Sequence, residues 1–277
     1  MKDKVVLVTG GARGIGLAIA EAAYLRGASI VLIDLDPEVV AESAAVLGDR
    51  AIGIGADVTD LEQMESAFAK AVERFGRVDV VVANAGIAPG VAPVNGVPTE
   101  QWERVLEVNL FGVWRTVRAG MDEVIRNGGQ FVLVSSSYAF MNGTLNAAYA
   151  SAKAGVEALG RSLRTELKPL GASASVAYFG WITTDMVTNA FSDPIVDGMR
   201  KTAPKFMTRQ IPAKVAGEQV VDGIERDDRA VIVPFEYRVA FHLRGLLGPL
   251  MDRRFETDER VSRLVRDAEA RSAEHRE

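Results

Sequence analysis

Cysteine is absent from the 277 residues, and only two histidines occur, His242 and His275, both near the end of the chain. The first absence excludes disulfides, thiolate nucleophiles and thiolate metal sites; the second leaves no material for a histidine-based triad or a His-rich zinc site. No stretch reaches the roughly 18 consecutive apolar residues of a membrane-spanning helix. The run "VVLVT" at 5–9 is too short for the apolar part of a signal peptide and leads straight into glycines. A cytoplasmic protein is therefore expected. Pro/Gly/Ser-rich linkers, low-complexity tracts and repeats of solenoid period are also missing, so the length points to one domain plus an extension. A formal net charge of −5 argues against nucleic acid as a partner, since phosphate binding relies on clustered Lys and Arg.

What the chain does contain is an alternation. Short β-branched runs at 5–9, 29–34, 51–55, 78–84, 130–136 and 173–179 alternate with helical patterns near 14–26, 37–47, 60–75, 99–126 and 148–168. Uninterrupted apolar strands belong to a sheet covered on both faces, and the βαβ order makes it parallel. The expected fold is α/β: a doubly wound parallel sheet in a Rossmann-like single domain over 1–235, with a C-terminal helical extension over 236–277. Such sheets bind ligands beyond the carboxyl ends of their strands. After residue 186 the periodicity loosens, and "MVTNAFSDPIVDGMRKTAPKFMTRQI" reads as a lid over a pocket or as a surface excursion with a short helix. A helix with Pro212 in its first turn and a final strand in "RAVIVP" follow.

"TGGARGIG" places Thr9, Gly10, Arg13, Gly14, Ile15 and Gly16 between the first strand and the first helix. Glycines there let the backbone turn sharply and approach a pyrophosphate, while the helix N-terminus offers free N–H groups to the anion. Asp34 closes the second strand, where a carboxylate accepts hydrogen bonds from ribose hydroxyls and repels a 2′-phosphate, favouring NAD over NADP. Arg13 is the opposing observation, since a guanidinium can reach that phosphate. Asp57 and Val58 follow the third strand; Asp57 either contacts the adenine edge or caps the next helix. Asn84, Ala85 and Gly86 end the fourth strand, where small residues let backbone pass close to a cofactor.

Tyr149 and Lys153 lie four apart in "AAYASAKAG", so one helical turn puts a phenol beside an ammonium on a face otherwise stripped of bulk. A free tyrosine, with a pKa of about 10, is a poor base near neutral pH. An opposite charge at contact distance shifts a pKa by roughly 1 to 3 units, so Lys153 is expected to make Tyr149 a usable general acid and base.

"TGGARGIG", "NAG" at 84–86, Asn109 in "VNLFG", Ser136 in "VSSS", and Tyr149 with Lys153 stand in the order and spacing of the short-chain dehydrogenase/reductase family. The chain resembles that family over about residues 4–186. The resemblance implies NAD(P)-linked interconversion of a carbinol and a carbonyl, in a homotetramer or dimer. It implies that Ser136 hydrogen-bonds the substrate oxygen, that Lys153 also binds the nicotinamide ribose, and that Asn109 holds a relay water; a helix cap or a core amide is the other reading of Asn109. Strand alternation also selects Ser136 over its neighbours Ser135 and Ser137. Gly180, Ile182 and Thr184 match the segment that holds the nicotinamide carboxamide, although Phe179 stands where the family usually has proline.

Phe140, Met141, Leu145, Trp181, Met186, Phe191 and Phe206 suggest an apolar substrate cavity, with Phe140, Met141 and Trp181 beside Ser136 and Tyr149 as the contact residues; packing against the core is the other reading. The expected substrate is a hydrophobic alcohol or ketone. Residues 236–255 combine apolar and arginine side chains, a pattern that lies on an anionic membrane surface or packs as two short helices over the pocket or another subunit. The residues after Glu256 alternate in charge and read as a solvated helix or as disordered. Apart from an NAD-dependent dehydrogenase, the sequence allows an NADP-dependent carbonyl reductase, a non-catalytic dinucleotide sensor, and an epimerase or dehydratase using the cofactor transiently.

Overall fold

Seven runs pair side by side as parallel strands; the central ones are apolar and buried along their length, while the edge strand at Ala51–Gly55 is only partly buried. The structure, a computed structural model, describes residues 1–204 and 207–274. Its first half runs β1 (Val5–Thr9), α1 (Gly14–Leu25), β2 (Ser29–Asp34), α2 (Pro37–Leu47), β3 (Ala51–Gly55), α3 (Leu61–Phe75), β4 (Val80–Ala83), α4 (Thr99–Leu106) and α5 (Gly112–Arg126). There follow β5 (Gln130–Ser136), α6 (Ala147–Leu167), β6 (Ser173–Phe179), β7 (Ile182–Thr183), α7 (Asp185–Phe191), α8 (Pro194–Thr202), β8 (Ile211–Pro212), α9 (Ala213–Glu225) and β9 (Ala230–Val233). The chain closes with α10 (Tyr237–His242), α11 (Arg244–Thr257) and α12 (Glu259–Glu274).

The main sheet has the order β3-β2-β1-β4-β5-β6-β9. Alternate residues of each strand feed opposite core layers: Val6 and Val8 meet α1, α2 and α9, whereas Val5 and Leu7 meet α3, α5 and α6. The order reverses between β1 and β4, which opens a crevice at their carboxyl ends. At the other end of β4 the buried Asp79 carboxylate accepts from Val5 N, Lys4 and Arg77. Burial would raise its pKa, but these donors together hold it below the ordinary carboxylate value.

The helical pattern over 99–126 is interrupted by a π-helical turn at Glu107–Phe111. The loosened region after residue 186 holds two helices, α7 and α8, capped by Thr184 and by Asp193. The charged tail forms α12, whose Val261 and Ala268 are buried. Ala268 packs with Leu145 of the segment before α6 and Ile195 of α8. Arg271 donates to Asp193 at 2.8 Å and to the Val91 carbonyl at 2.7 Å. His275 lies outside the described residues. Among the described residues no helix is long and apolar enough to cross a membrane.

Candidate active site

The turn from β1 into α1 depends on glycine at its tightest points. Gly10 and Gly14 hold φ of +62° and +59°, and a Cβ on Gly16 would stand 2.1 Å from the Gly10 carbonyl oxygen. The neighbouring strand end locks onto this turn: Thr9 Oγ1 accepts from the backbone N–H groups of Asn84 (3.0 Å) and Ala85 (3.2 Å), and Asn84 Nδ2 donates to the carbonyls of Thr9 (2.9 Å) and Gly10 (3.1 Å). The result is an open cavity of about 470 Å³ along the carboxyl edge of the sheet.

Every cofactor candidate except Gly16 lines this cavity: Gly10, Arg13, Gly14, Ile15, Asp34, Asp57, Val58, Asn84, Ala85, Gly86, Tyr149, Lys153, Gly180, Ile182 and Thr184. Gly16 shapes it from behind. The Asp34 carboxylate accepts from Ala12 N (3.0 Å) and Leu35 N (2.9 Å), which fixes it at the rim of the glycine turn. Asp57 accepts from Thr59 N at 2.8 Å, while Asp60 rather than Asp57 caps α3. Arg104 on α4 also lines the cavity, its guanidinium 3.9 Å from Asp57. Nothing in the local sequence marked Arg104, because its place depends on a contact between α4 and the end of β3.

Ser136, Tyr149 and Lys153 converge on the same cavity. Ser136 ends β5, and its hydroxyl donates to the Phe179 carbonyl at 3.3 Å. Its neighbour Ser135 points the other way along the strand and donates to the Lys153 carbonyl at 2.8 Å. Tyr149 is in the first turn of α6, with the Tyr138 ring edge-on at 6.0 Å. Lys153 is almost fully buried, its Nζ donating to the Val134 carbonyl at 2.9 Å and standing 5.5 Å from the Tyr149 ring centre.

This geometry alters the expected electrostatics. Burial pushes the Tyr149 phenol up to about 12, with the Ser136 hydroxyl pulling it back and Tyr138 adding to the rise. Burial likewise brings the Lys153 amine down to about 8. The lowering expected from the ammonium is not among the influences on the phenol, where desolvation dominates; the Lys153 Nζ donates to the Val134 carbonyl instead.

Asn109 lies behind the cavity wall, fully buried within the π-helical turn. Its Oδ1 accepts from Ile87 N at 2.7 Å and its Nδ2 donates to Ile87 O at 2.8 Å. The side-chain amide is thus a clasp on the segment after β4. A Cβ on Gly86 would sit 2.9 Å from Asn109 Oδ1 and 3.7 Å from Lys153 Nζ, so this wall has no room for a side chain.

Of the apolar residues expected around the substrate, only some reach this cavity. Phe140 and Met141 do not line the cavity; they pack in an apolar cluster with Tyr178, Tyr237 and Phe241, where the Phe140 ring meets Phe241 at 5.3 Å. Trp181 is turned onto Phe191, 4.9 Å between ring centres. Leu145 is buried against α8 and α12. Met186 does line the cavity, joined by Asp185, Val187 and Asn189 of α7, which the sequence did not single out. Phe206 lies outside the described residues.

Residues 4–195 match the sequence family described as short chain dehydrogenase. A "(-)-trans-carveol dehydrogenase" of Rhodococcus erythropolis is 33% identical over 206 residues, covering 68% of this chain and 74% of that protein. An "L-rhamnose 1-dehydrogenase (NAD(P)(+))" of Sphingomonas sp. (strain SKA58) is 36% identical over 199 residues, 70% of this chain and 78% of that one. Among solved structures, carveol dehydrogenase from Mycobacterium avium in complex with NAD is 27% identical with a TM-score of 0.76, covering 84% of this chain and 96% of that chain.

Proposed function

The chain belongs to the short-chain dehydrogenase/reductase family, and from that premise we propose that it interconverts a hydrophobic secondary alcohol and its ketone with NAD. Its named relatives are dehydrogenases acting on CH–OH groups, and the chain is an oxidoreductase of that kind. The observation that carries the finer reading is the convergence of Ser136, Tyr149 and Lys153 on one cavity whose rim holds Asp34.

The cavity wall fits a dinucleotide. The glycine turn at the mouth of α1 would hold a pyrophosphate, the Asp34 carboxylate at its rim would accept from ribose hydroxyls, and the bare backbone at Gly86 leaves room beside Lys153. When bound, the nicotinamide accepts or supplies the hydride. The Tyr149 phenol donates its proton to the carbonyl oxygen in reduction and takes the hydroxyl proton in oxidation. The Ser136 hydroxyl holds that oxygen in place. Lys153 would hold the nicotinamide ribose and supplies positive charge next to the phenol when protonated. Asn109 keeps Ile87, and with it the wall at Gly86, in register.

The apolar lining from Ile87, Val108, Phe179, Ile182, Met186 and Val187 supports a hydrophobic substrate. The test is absorbance at the reduced-nicotinamide band with a panel of hydrophobic secondary alcohols and ketones. Turnover with NAD is the expected result; cofactor binding without turnover across the panel rejects it in favour of a sensor. Replacing Asp34 with Ser separates the cofactors: the preference for NAD over NADP, as a ratio of kcat/KM, is expected to fall by about tenfold or more. An unchanged ratio removes Asp34 as its source.

A further inference from the structure

The cavity extends well beyond its reacting end. Ser136 and Tyr149 mark that end at β5 and α6, and the glycine turn lies in the middle at β1; the far wall is made at the ends of β2 and β3 by Asp34, Leu35, Ala56, Asp57 and Val58. In the sheet order β3 is four strand spacings from β5, which separates the two ends by roughly 19 Å. Across from the sheet, the far end is lined by Arg104 of α4 and by Val108 one helical turn later. Val105, between them, is fully buried with Ala148 and Ala152 of α6, so α4 is anchored by one face while Arg104 stands free of that packing.

Arg104 is a cation with most of its hydrogen-bonding capacity unspent. Its side chain is half-exposed, and the Asp57 carboxylate lies 3.9 Å from its guanidinium, too far for a hydrogen bond. Arg77, Arg164 and Arg244, by contrast, hold their carboxylates at 2.6, 3.0 and 2.6 Å. Asp57 is spent on one side only: its Oδ1 accepts from Thr59 N at 2.8 Å, and Oδ2 is the oxygen nearer Arg104. The guanidinium and Oδ2 thus stand apart on the wall of one cavity, neither saturated by the other. Beside them the nearly buried Ala56, Val58 and Val108 give that wall an apolar part. A planar cation, a carboxylate oxygen with a lone pair to offer and an apolar backing suit a flat, electron-rich ring that carries an amine.

On the reading that the cavity holds a dinucleotide with its pyrophosphate at the glycine turn, we infer that Arg104 stacks its guanidinium on the adenine ring, while Asp57 Oδ2 accepts from the ring's amine. With the reacting atoms at Tyr149, the adenine is the part of the cofactor that reaches β3. A contact from Arg104 to a 2′-phosphate fits less well, because the ribose hydroxyls belong at Asp34 on β2, whereas Arg104 stands beside Asp57 after β3. Arg104 is far from the reacting oxygen, so it acts on cofactor affinity and not on the chemical step.

Titrations followed by reduced-nicotinamide fluorescence, with no turnover needed, test the assignment. Arg104→Ala is expected to raise the Kd for NADH by about tenfold. The Kd for ADP-ribose, measured by displacement of NADH, should rise by the same factor, and that for reduced nicotinamide mononucleotide, which lacks the adenine nucleoside, should stay unchanged. Arg104→Trp keeps a flat π face and should recover most of the loss; Arg104→Lys keeps the charge without the plane and should recover little. Thermal melting reports that the variants remain folded. No NADH binding by the wild type overturns the dinucleotide reading and this assignment with it. Where the wild type binds, an unchanged Kd for NADH in Arg104→Ala, or a rise shared equally by the mononucleotide, overturns the assignment alone. Recovery by lysine rather than tryptophan, or a loss larger for NADPH than for NADH, overturns stacking in favour of a contact to phosphate.

Discussion

Tyr149 and Lys153 occupy surroundings that oppose the charged form of each. At neutral pH the phenol holds its proton, so the resting side chain is an acid, and its use as a base depends on positive charge brought close to it. Tyr149→Phe removes one hydroxyl and no bulk; kcat is expected to fall by about 10²–10⁴ while cofactor affinity, read by fluorescence, stays within a few-fold. Lys153 gives a prediction about stability. Its folded pKa of about 8 lies below the ordinary 10.5, so below pH 8 both states are protonated and the folded state carries a buried ammonium. Between about 8 and 10.5 the folded state sheds the proton first, and stability rises with pH. Lys153→Met is therefore expected to stabilise the cofactor-free protein at pH 7, by up to roughly 3 kcal/mol. The gain should shrink by pH 10, as urea titrations at the two pH values would show. A gain independent of pH would mean that the ammonium is not what burial opposes.

The π-helical turn at Glu107–Phe111 shows where an element escapes its own sequence. Val108, Leu110 and Phe111 continue a helical pattern with their neighbours, so 99–126 reads as one helix; the interruption coincides with the tertiary clasp of Asn109 on Ile87. Asn109→Leu would leave the Ile87 N–H and C=O without that partner, at a cost of about 2–5 kcal/mol in urea unfolding, together with weaker cofactor binding as the wall at Gly86 loosens. The strands were legible for the opposite reason: apolar, β-branched runs buried on both faces leave little choice, and β5 and β6 occupy the spans expected of them. The glycine turn and the Ser136, Tyr149 and Lys153 set were readable because each needs a particular residue type at a fixed spacing. Phe140, Met141 and Trp181 were not, since apolar character alone does not say whether a side chain faces a cavity or a neighbour. Here aromatic partners took all three, or their cluster did.

At the scale of the molecule, the extension is joined to α6 by an ion pair between the half-buried Arg244 and the buried Glu157. Arg244 reaches both oxygens of Glu157 at 2.8 and 2.6 Å, and Glu157 lies one turn after Lys153. Arg244→Ala would strand a buried carboxylate, leaving Arg161 at 3.5 Å as its remaining cation, and is expected to cost about 3 kcal/mol in urea unfolding. Adding Glu157→Gln should recover part of that loss, and a double-mutant cycle measures how much. Helix α12 ties the other side: Ala268→Asp would place a charge among Leu145, Ile195 and Leu264, and faster proteolysis within 259–274 and around α8 is the expected readout.

The bonds from Arg271 to Val91 and Asp193 carry a consequence for the order of biosynthesis. A ribosome has delivered every cavity-lining residue once Asn189 is out, yet the staple between the loop after β4 and the start of α8 is not made until Arg271 emerges. Nascent chains are thus expected to hold nucleotide more loosely than finished ones.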